Sequence, residues 1–275
     1  MKSVFVQGVL NALETAGFKA DAYAGASGSA LPAMSAAMGR CNHVGVHYWQ
    51  QVLSVRKQGF DMGETMLKVI AEWGGEPMND NFFQPGTARV LIPASAVITE
   101  EAAAQTQSEG AKRLGRKLLI DIGRKDRTWI DQHLQFQLFD THSPDETLKI
   151  TRQNINDIVY ASLRMLHTSK IPATINGKPY IDTSYTCVCP AMEMVEQGFS
   201  HVIAISTEPG QLYRDMLQLQ PIPTIYQGVP VDIIQPEFDL ATLGVDFTDS
   251  TDEGLLAVFQ YGETRGRHFL KEFSV

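Results

Sequence analysis

Gly25-Ala26-Ser27-Gly28-Ser29 follows a short run with strand character, Asp21 to Ala24, and precedes a helix-forming run, Ser29 to Met38. A serine between small residues at a strand-to-helix junction predicts a nucleophile elbow, in which a tight turn lifts the hydroxyl out of a sheet and into a cleft. Gly25, Ala26 and Gly28 suit such a turn, because bulky neighbours would clash there. The helix that follows brings its free N–H groups and positive dipole end to the point where negative charge develops in acyl transfer. Where the pattern Gly-x-Ser-x-Gly has its last glycine, this chain has Ser29. The competing reading of the same residues is a small-residue helix start with Ser27 as its N-cap.

An elbow serine ordinarily works with an acid and a histidine in the chain order Ser, Asp or Glu, His. The histidines are His43, His47, His133, His142, His167, His201 and His268. Only His268 falls late, and it lies in the helix-like segment Gly254 to Phe273 rather than in a loop at the top of a sheet. No histidine suits a triad, which leaves a carboxylate acting directly on the serine.

Three blocks then carry a resemblance. The first is Gly8-Val9-Leu10-Asn11-Ala12-Leu13-Glu14 with Gly17 and the elbow, continuing through Ala30-Leu31. The second is Ala161-Ser162, ahead of Pro172. The third is Gly177-Lys178-Pro179-Tyr180-Ile181-Asp182, followed by Pro190-Ala191, Gly198 and the strand Val202-Ile203-Ala204-Ile205. In order and spacing, from Lys2 to about Phe273, the chain resembles the patatin-like phospholipase family, which uses a Ser-Asp dyad. The resemblance implies a single patatin-like domain over residues 1–275, an α/β chain folded as three α/β/α layers around a mostly parallel central sheet. It implies Ser27 as nucleophile and Asp182 as base, acting on lipid or phospholipid esters, with transient contact to a membrane surface and no metal or organic cofactor. After its aspartate the family has Asp-Gly-Gly or Asp-Gly-Ala, whereas this chain reads Asp182-Thr183-Ser184. The family's oxyanion loop, roughly Gly-Gly-Gly-x-Lys/Arg-Gly, precedes the first helix. Alignment on Gly8 sets Lys2 at its basic position and Ser3 at its last glycine. The glycine run and the strand before it then fall upstream of Met1, so the oxyanion and elbow residues within the chain are Gly25, Gly28, Lys2 and Ser3. The resemblance therefore implies reduced turnover, or a weakly active lipid- or acyl-binding protein as the alternative.

Composition agrees with one globular unit. In 275 residues, 44% hydrophobic and 20% charged, there is enough apolar material for a substantial core. A net charge of −8 and a pI near 5.4 argue against nucleic acid as a partner, since no basic stripe is present to neutralise phosphates. They argue equally against strong electrostatic docking to anionic lipid. No apolar run approaches a membrane span and no signal peptide opens the chain. Three cysteines, Cys41, Cys187 and Cys189, are an odd, low count that fits a reducing, cytoplasmic setting. Cys187 and Cys189 read as small buried residues beside Asp182 rather than as metal or redox groups.

Along the chain the pattern alternates. Val6, Val9, Leu10 and Leu13 recur at helical spacing, with Gly17 as a stop. His47 to Trp73 reads as helix. Arg89-Val90-Leu91-Ile92 and Lys117-Leu118-Leu119-Ile120 read as short buried strands, with Glu100 to Arg116 an exposed insertion between them. His133 to Phe139 alternates, as a strand at a sheet edge or a segment lining a cleft would, Ile155 to Leu163 is helical, Val202 to Ile205 and Val231 to Ile234 are strands, and Gly254 to Phe273 is a closing helix. His43 and His47, at i and i+4, stand on one solvated helix face in this reading and lack the glutamate of a zinc-protease motif. Met34, Met38, Met62 and Met66 read as core or pocket wall.

Overall fold

The computed structural model describes residues 1–73, 81–247 and 249–273. In chain order its elements are α1 (Val4–Thr15), β1 (Ala22–Ala24), α2 (Ala30–Ala37), α3 (Cys41–Val44), α4 (His47–Lys57), α5 (Met62–Trp73) and β2 (Arg89–Val97). Then come α6 (Glu100–Thr106), α7 (Ala111–Gly123), α8 (Thr128–His133), β3 (Leu134–Asp140), α9 (Ile155–Leu163), β4 (Thr174–Ile175) and β5 (Lys178–Ile181). The chain ends with α10 (Ala191–Glu196), β6 (Val202–Ile205), β7 (Ile225–Tyr226), β8 (Val229–Ile234) and α11 (Asp252–Phe273). This is a mixed α/β fold with open, mixed sheets.

Strand β2 organises the larger sheet. β3 runs antiparallel along one edge of it, from Leu91 to Val97. The other edge is shared. β1 pairs in parallel at Arg89 to Leu91, and β5 pairs antiparallel at Ser95 and Ala96. β4 continues outward from β5. The smaller sheet is β6-β8-β7, with β6 parallel to β8 and β7 antiparallel to it.

The expected mostly parallel sheet is thus corrected, because antiparallel pairs outnumber parallel ones among the described residues. The physical reason is local. Asn176-Gly177 and Gln227-Gly228 each hold two successive residues at positive φ, the turn that closes a two-residue hairpin. These turns make β4-β5 and β7-β8 antiparallel.

Helix α1 is buried from Val4 through Leu13 and packs along α11. The two backbones approach closely: a Cβ on Gly8 would lie 2.1 Å from the Phe259 carbonyl oxygen, and one on Gly262 2.3 Å from that of Phe5. Because α1 is enclosed on all sides, its polar residues need partners. Gln7 Nε2 donates to Ser35 Oγ and the Cys41 carbonyl, and Asn11 Nδ2 donates to Glu263.

Other expectations change. Lys117 to Ile120 is not a strand but part of α7. There Leu114 and Leu118 are buried one helical turn apart while Leu119 and Ile120 face outward. A four-residue apolar run carries no period of its own, so neighbouring residues decide it. Glu100 to Arg116 is not a wholly exposed insertion, for Ala102, Thr106, Ala111 and Leu114 are buried. His47 to Trp73 is two helices, interrupted near Gly59 at φ +94°. His43 and His47 do not share a helix, since Gly45 at φ +49° separates α3 from α4, and both face solvent. No helix among the described residues is long and apolar enough to cross a membrane.

Candidate active site

The topology of β2 explains why residues 155 positions apart meet. β1 climbs its edge in one direction and ends with Ala24 opposite Leu91. β5 descends the same edge in the other direction and ends with Ile181 opposite Ser95. The chain leaves both strands into the interval between Leu91 and Ser95. From one side comes Ser27, from the other Asp182, and Ser27 Oγ donates to Asp182 Oδ2 at 2.8 Å.

The turn after β1 is the expected elbow, tighter than the sequence suggests. Ser27 sits at φ +49°, a left-handed backbone that a serine holds only when its surroundings demand it. A 3-10 turn over Ser27–Ser29 then feeds α2. Gly25 is required for space rather than for dihedral freedom: a Cβ there would stand 2.4 Å from the Ser29 carbonyl oxygen and 2.8 Å from Ala33 Cβ. The strained serine is pinned by its own N–H, which donates to Ser162 Oγ at 3.0 Å. Ser162 is fully buried near the end of α9.

Asp182 is fully buried and held by backbone and side chain together. Its N–H donates to the Arg164 carbonyl at 2.9 Å, and its own carbonyl accepts from Ser95 Oγ at 2.9 Å. Oδ1 accepts the Ser184 N–H at 2.8 Å, leaving Oδ2 for Ser27. Thr183, which stands where the resemblance has glycine, begins a 3-10 turn without positive φ, and its hydroxyl donates to the Cys187 carbonyl. Burial raises the Asp182 pKa to about 6, and the hydrogen bonds from Ser184 and Ser27 restrain that rise. A carboxylate so tuned is half-protonated near pH 6 and a competent base above it.

Two helix starts meet beside the elbow. Gly28 lies against Ser3, since a Cβ on Gly28 would meet Ser3 Oγ at 2.7 Å, and Ser29 Oγ donates to Ser3 Oγ at 3.3 Å. Ser3 is the N-cap of α1, so the positive end of a twelve-residue helix faces the elbow. The N–H groups of Gly28 and Ser3 have no protein acceptor among the described residues. Lys2, aligned with the basic position of the family loop, directs Nζ elsewhere. It binds Glu208 at 2.8 Å and Asp239 at 3.0 Å, with its side chain almost wholly covered.

Sequence reasoning named Ser27, Asp182, Gly25, Gly28 and Ser3, and the structure brings these together. The supports are not legible in the sequence: Ser162 enters there only within a block, while Ser95, Ser184 and Arg164 carry no signal, being common residues whose role comes from tertiary position. Arg164 is 1% exposed. Its guanidinium donates to the carbonyls of Thr106 at the end of α6, Ile171 and Tyr180 on β5, so its charge serves backbone carbonyls rather than the Ser27–Asp182 pair. His268 is exposed on α11 and has no part in the site. Cys187 and Cys189 are buried free thiols, and burial pushes Cys189 up to about 12, far from reactive thiolate character. No group of three or more metal-ligating side chains is found among the described residues.

No family model matches this chain, and no curated protein sequence matches it.

Proposed function

We propose that the chain is a serine acyl hydrolase of patatin-like, three-layer architecture that cleaves carboxylic esters of lipids or phospholipids. The observation that carries this reading is the 2.8 Å hydrogen bond from Ser27, held at φ +49° on the elbow, to the buried Asp182. In the proposed mechanism Asp182 Oδ2 takes the Ser27 proton as Oγ attacks the ester carbonyl carbon. The carbonyl electron pair moves onto oxygen, and the oxyanion accepts from the Gly28 and Ser3 N–H groups under the positive end of α1. Collapse breaks the ester C–O bond, and the departing alcohol takes the proton from Asp182. Water then enters, gives its proton to Asp182 and attacks the acyl-enzyme, and that proton returns to Ser27 Oγ as the acid leaves.

A second reading, a weakly active acyl-binding protein, is favoured by one observation. The Ser27 N–H is already committed to Ser162, so the hole relies on few donors. The two readings separate in one experiment. A fluorophosphonate probe and short p-nitrophenyl esters are offered to the wild type and to Ser27→Ala. Labelling and turnover that both vanish in Ser27→Ala support the hydrolase. Labelling of wild type without turnover supports the binder, and equal labelling of both proteins removes Ser27 as nucleophile.

A further inference from the structure

β3 pairs with β2 on one side only, and the ladder fixes which backbone groups face the other way. The Asp140 N–H donates to the Leu148 carbonyl, and the Asp140 carbonyl accepts from the Ile150 N–H, both away from β2. One residue on, the Thr141 N–H donates to the Val90 carbonyl, toward β2. Antiparallel ladders alternate residue by residue, so Leu134, Phe136 and Leu138 share the outward phase of Asp140. Pro93, opposite Leu138, agrees with this phase, because it has no N–H to give to β3. The Leu134 N–H donates to the Ile130 carbonyl at the end of α8. The Leu134 carbonyl, and the N–H and C=O groups of Phe136 and Leu138, have no partner among the described residues.

Natural edge strands are ordinarily blunted by a charge or a proline. Residues 134–139 contain neither. The charges at the two ends are already paired, Asp140 with Arg89 and Asp131 with Arg127. Gln135 is exposed, and Phe136, Gln137 and Leu138 are half-buried. The side chains along this edge also carry a symmetry. Residues 134–138 read Leu-Gln-Phe-Gln-Leu, the same in both directions.

We propose that the open edge of β3 is a homodimer interface, in which β3 pairs antiparallel with β3 of a second copy across a two-fold axis at Phe136. A two-fold axis sets a strand antiparallel to its own copy, and the same patch then serves both subunits. In this register Leu134 lies opposite Leu138, Gln135 opposite Gln137, and Phe136 opposite Phe136 of the copy. The free groups fall in phase. The two Phe136 residues exchange both of their hydrogen bonds, and each Leu138 N–H donates to the Leu134 carbonyl across the axis. Aromatic and apolar pairs directly opposite one another stabilise antiparallel strands. Gln137 Oε1 already accepts from the Tyr180 hydroxyl at 2.6 Å, which leaves Nε2 to donate to Gln135 across the axis. With a net charge of −8, two copies repel each other, and this edge brings together stretches that carry no charge. An unrelated strand satisfies the backbone groups equally well; the palindrome is what selects a second copy. The proposal is independent of the hydrolase reading.

Molecular mass in solution, measured by light scattering over a range of concentration, tests it. The 275-residue chain should pass from 30.4 kDa to twice that mass as concentration rises. Phe136→Lys and Phe136→Glu each set like charges on the axis, and each alone should keep the monomer mass with circular dichroism unchanged. Mixed in equal amounts they should recover the doubled mass, because lysine then faces glutamate. Phe136→Cys, under copper-phenanthroline oxidation, should cross-link chain to chain through position 136. Gln137→Cys should not, since in this register it faces position 135 of the copy and lies too far from its own counterpart for a disulfide. A wild type that stays monomeric at every concentration overturns the proposal and leaves the edge to a strand of another protein. A dimer that survives Phe136→Lys, a mixture of the two charge variants that stays monomeric, or cross-linking through position 137 and not 136 overturns it as well.

Discussion

Asp182→Asn should inactivate the proposed enzyme and at the same time stabilise the fold. The wild-type carboxyl is fully buried, and its pKa rises from 3.8 to about 6 on folding. The native state therefore holds the proton more tightly than the unfolded chain, and stability falls as pH climbs from about 4 to about 6. Above that window the folded protein carries a buried carboxylate whose two hydrogen bonds do not fully replace water, at a cost of about 3 kcal/mol. Asparagine has the same shape and no charge. Its Oδ1 accepts the Ser184 N–H as before, and Nδ2 donates to Ser27 Oγ where Oδ2 had accepted. The variant should match the wild type in stability near pH 4 and exceed it by roughly 2–4 kcal/mol at pH 8. In a chain of this length that corresponds to a melting temperature about 5 °C higher. Ester hydrolysis should fall by at least about a hundredfold, because the amide cannot take the serine proton. Urea denaturation at the two pH values, with p-nitrophenyl ester assays beside it, measures both effects. A variant less stable than the wild type at pH 8, or a difference that does not widen between pH 4 and pH 8, refutes the argument that the buried charge is under-compensated.

Three further outcomes follow from the same geometry. The pH profile of kcat/KM should fall about tenfold per unit below pH 6 as Asp182 takes up a proton, and a profile flat down to pH 4.5 would exclude it as the base. Ser3→Pro keeps the φ of −63° already present but removes one N–H, so turnover should fall on the order of a hundredfold with circular dichroism unchanged; activity within twofold of wild type would remove Ser3 from the oxyanion site. Ser162→Ala leaves the Ser27 N–H without its acceptor and should lower stability by about 1–2 kcal/mol and slow fluorophosphonate labelling, whereas labelling at the wild-type rate would show that the elbow holds its strain unaided.

What was legible in the sequence and what was not divide on physical grounds. Long periodic segments announce themselves, and the helices over Ile155–Leu163 and Asp252–Phe273 lie where the spacing predicts. Short apolar runs do not, which is why Lys117 to Ile120 was read as a strand. Sheet polarity was misread although its signal was present. Asn176-Gly177 is a hairpin turn, and the hairpin makes β4 and β5 antiparallel. Ser27 is legible because elbow chemistry restricts the residues around it, whereas Asp182 is reached only through the family resemblance. Ser95, Ser184 and Arg164 are not legible, because a backbone hydrogen bond across the fold imposes no pattern on the local sequence.

The corrected polarity is also what makes the dyad possible. Were β5 parallel to β2, Asp182 would leave the sheet heading the same way as Ser27, and the two chains would diverge from the edge of β2 instead of converging on it. Because β5 runs antiparallel to β2 while β1 runs parallel to it, both strands end facing each other across the interval from Leu91 to Ser95. β2, paired with β3 along its other edge from Leu91 to Val97, sets the separation. Each member of the dyad is then held in a state it would not choose alone: Ser27 in left-handed backbone, at a cost of about 1–3 kcal/mol, and Asp182 with its carboxyl fully buried. The contacts that offset these costs come from elements on different sides of the site, with Ser162 on α9, Ser95 on β2 and the Arg164 carbonyl after α9. Loss of any one of them should therefore loosen the serine and the aspartate together. In double-mutant cycles, Ser162→Ala and Ser95→Ala should show a coupling of about 0.5 kcal/mol or more in labelling rate, though one hydroxyl bonds the serine and the other the aspartate; strict additivity would mean that the serine and aspartate are positioned independently.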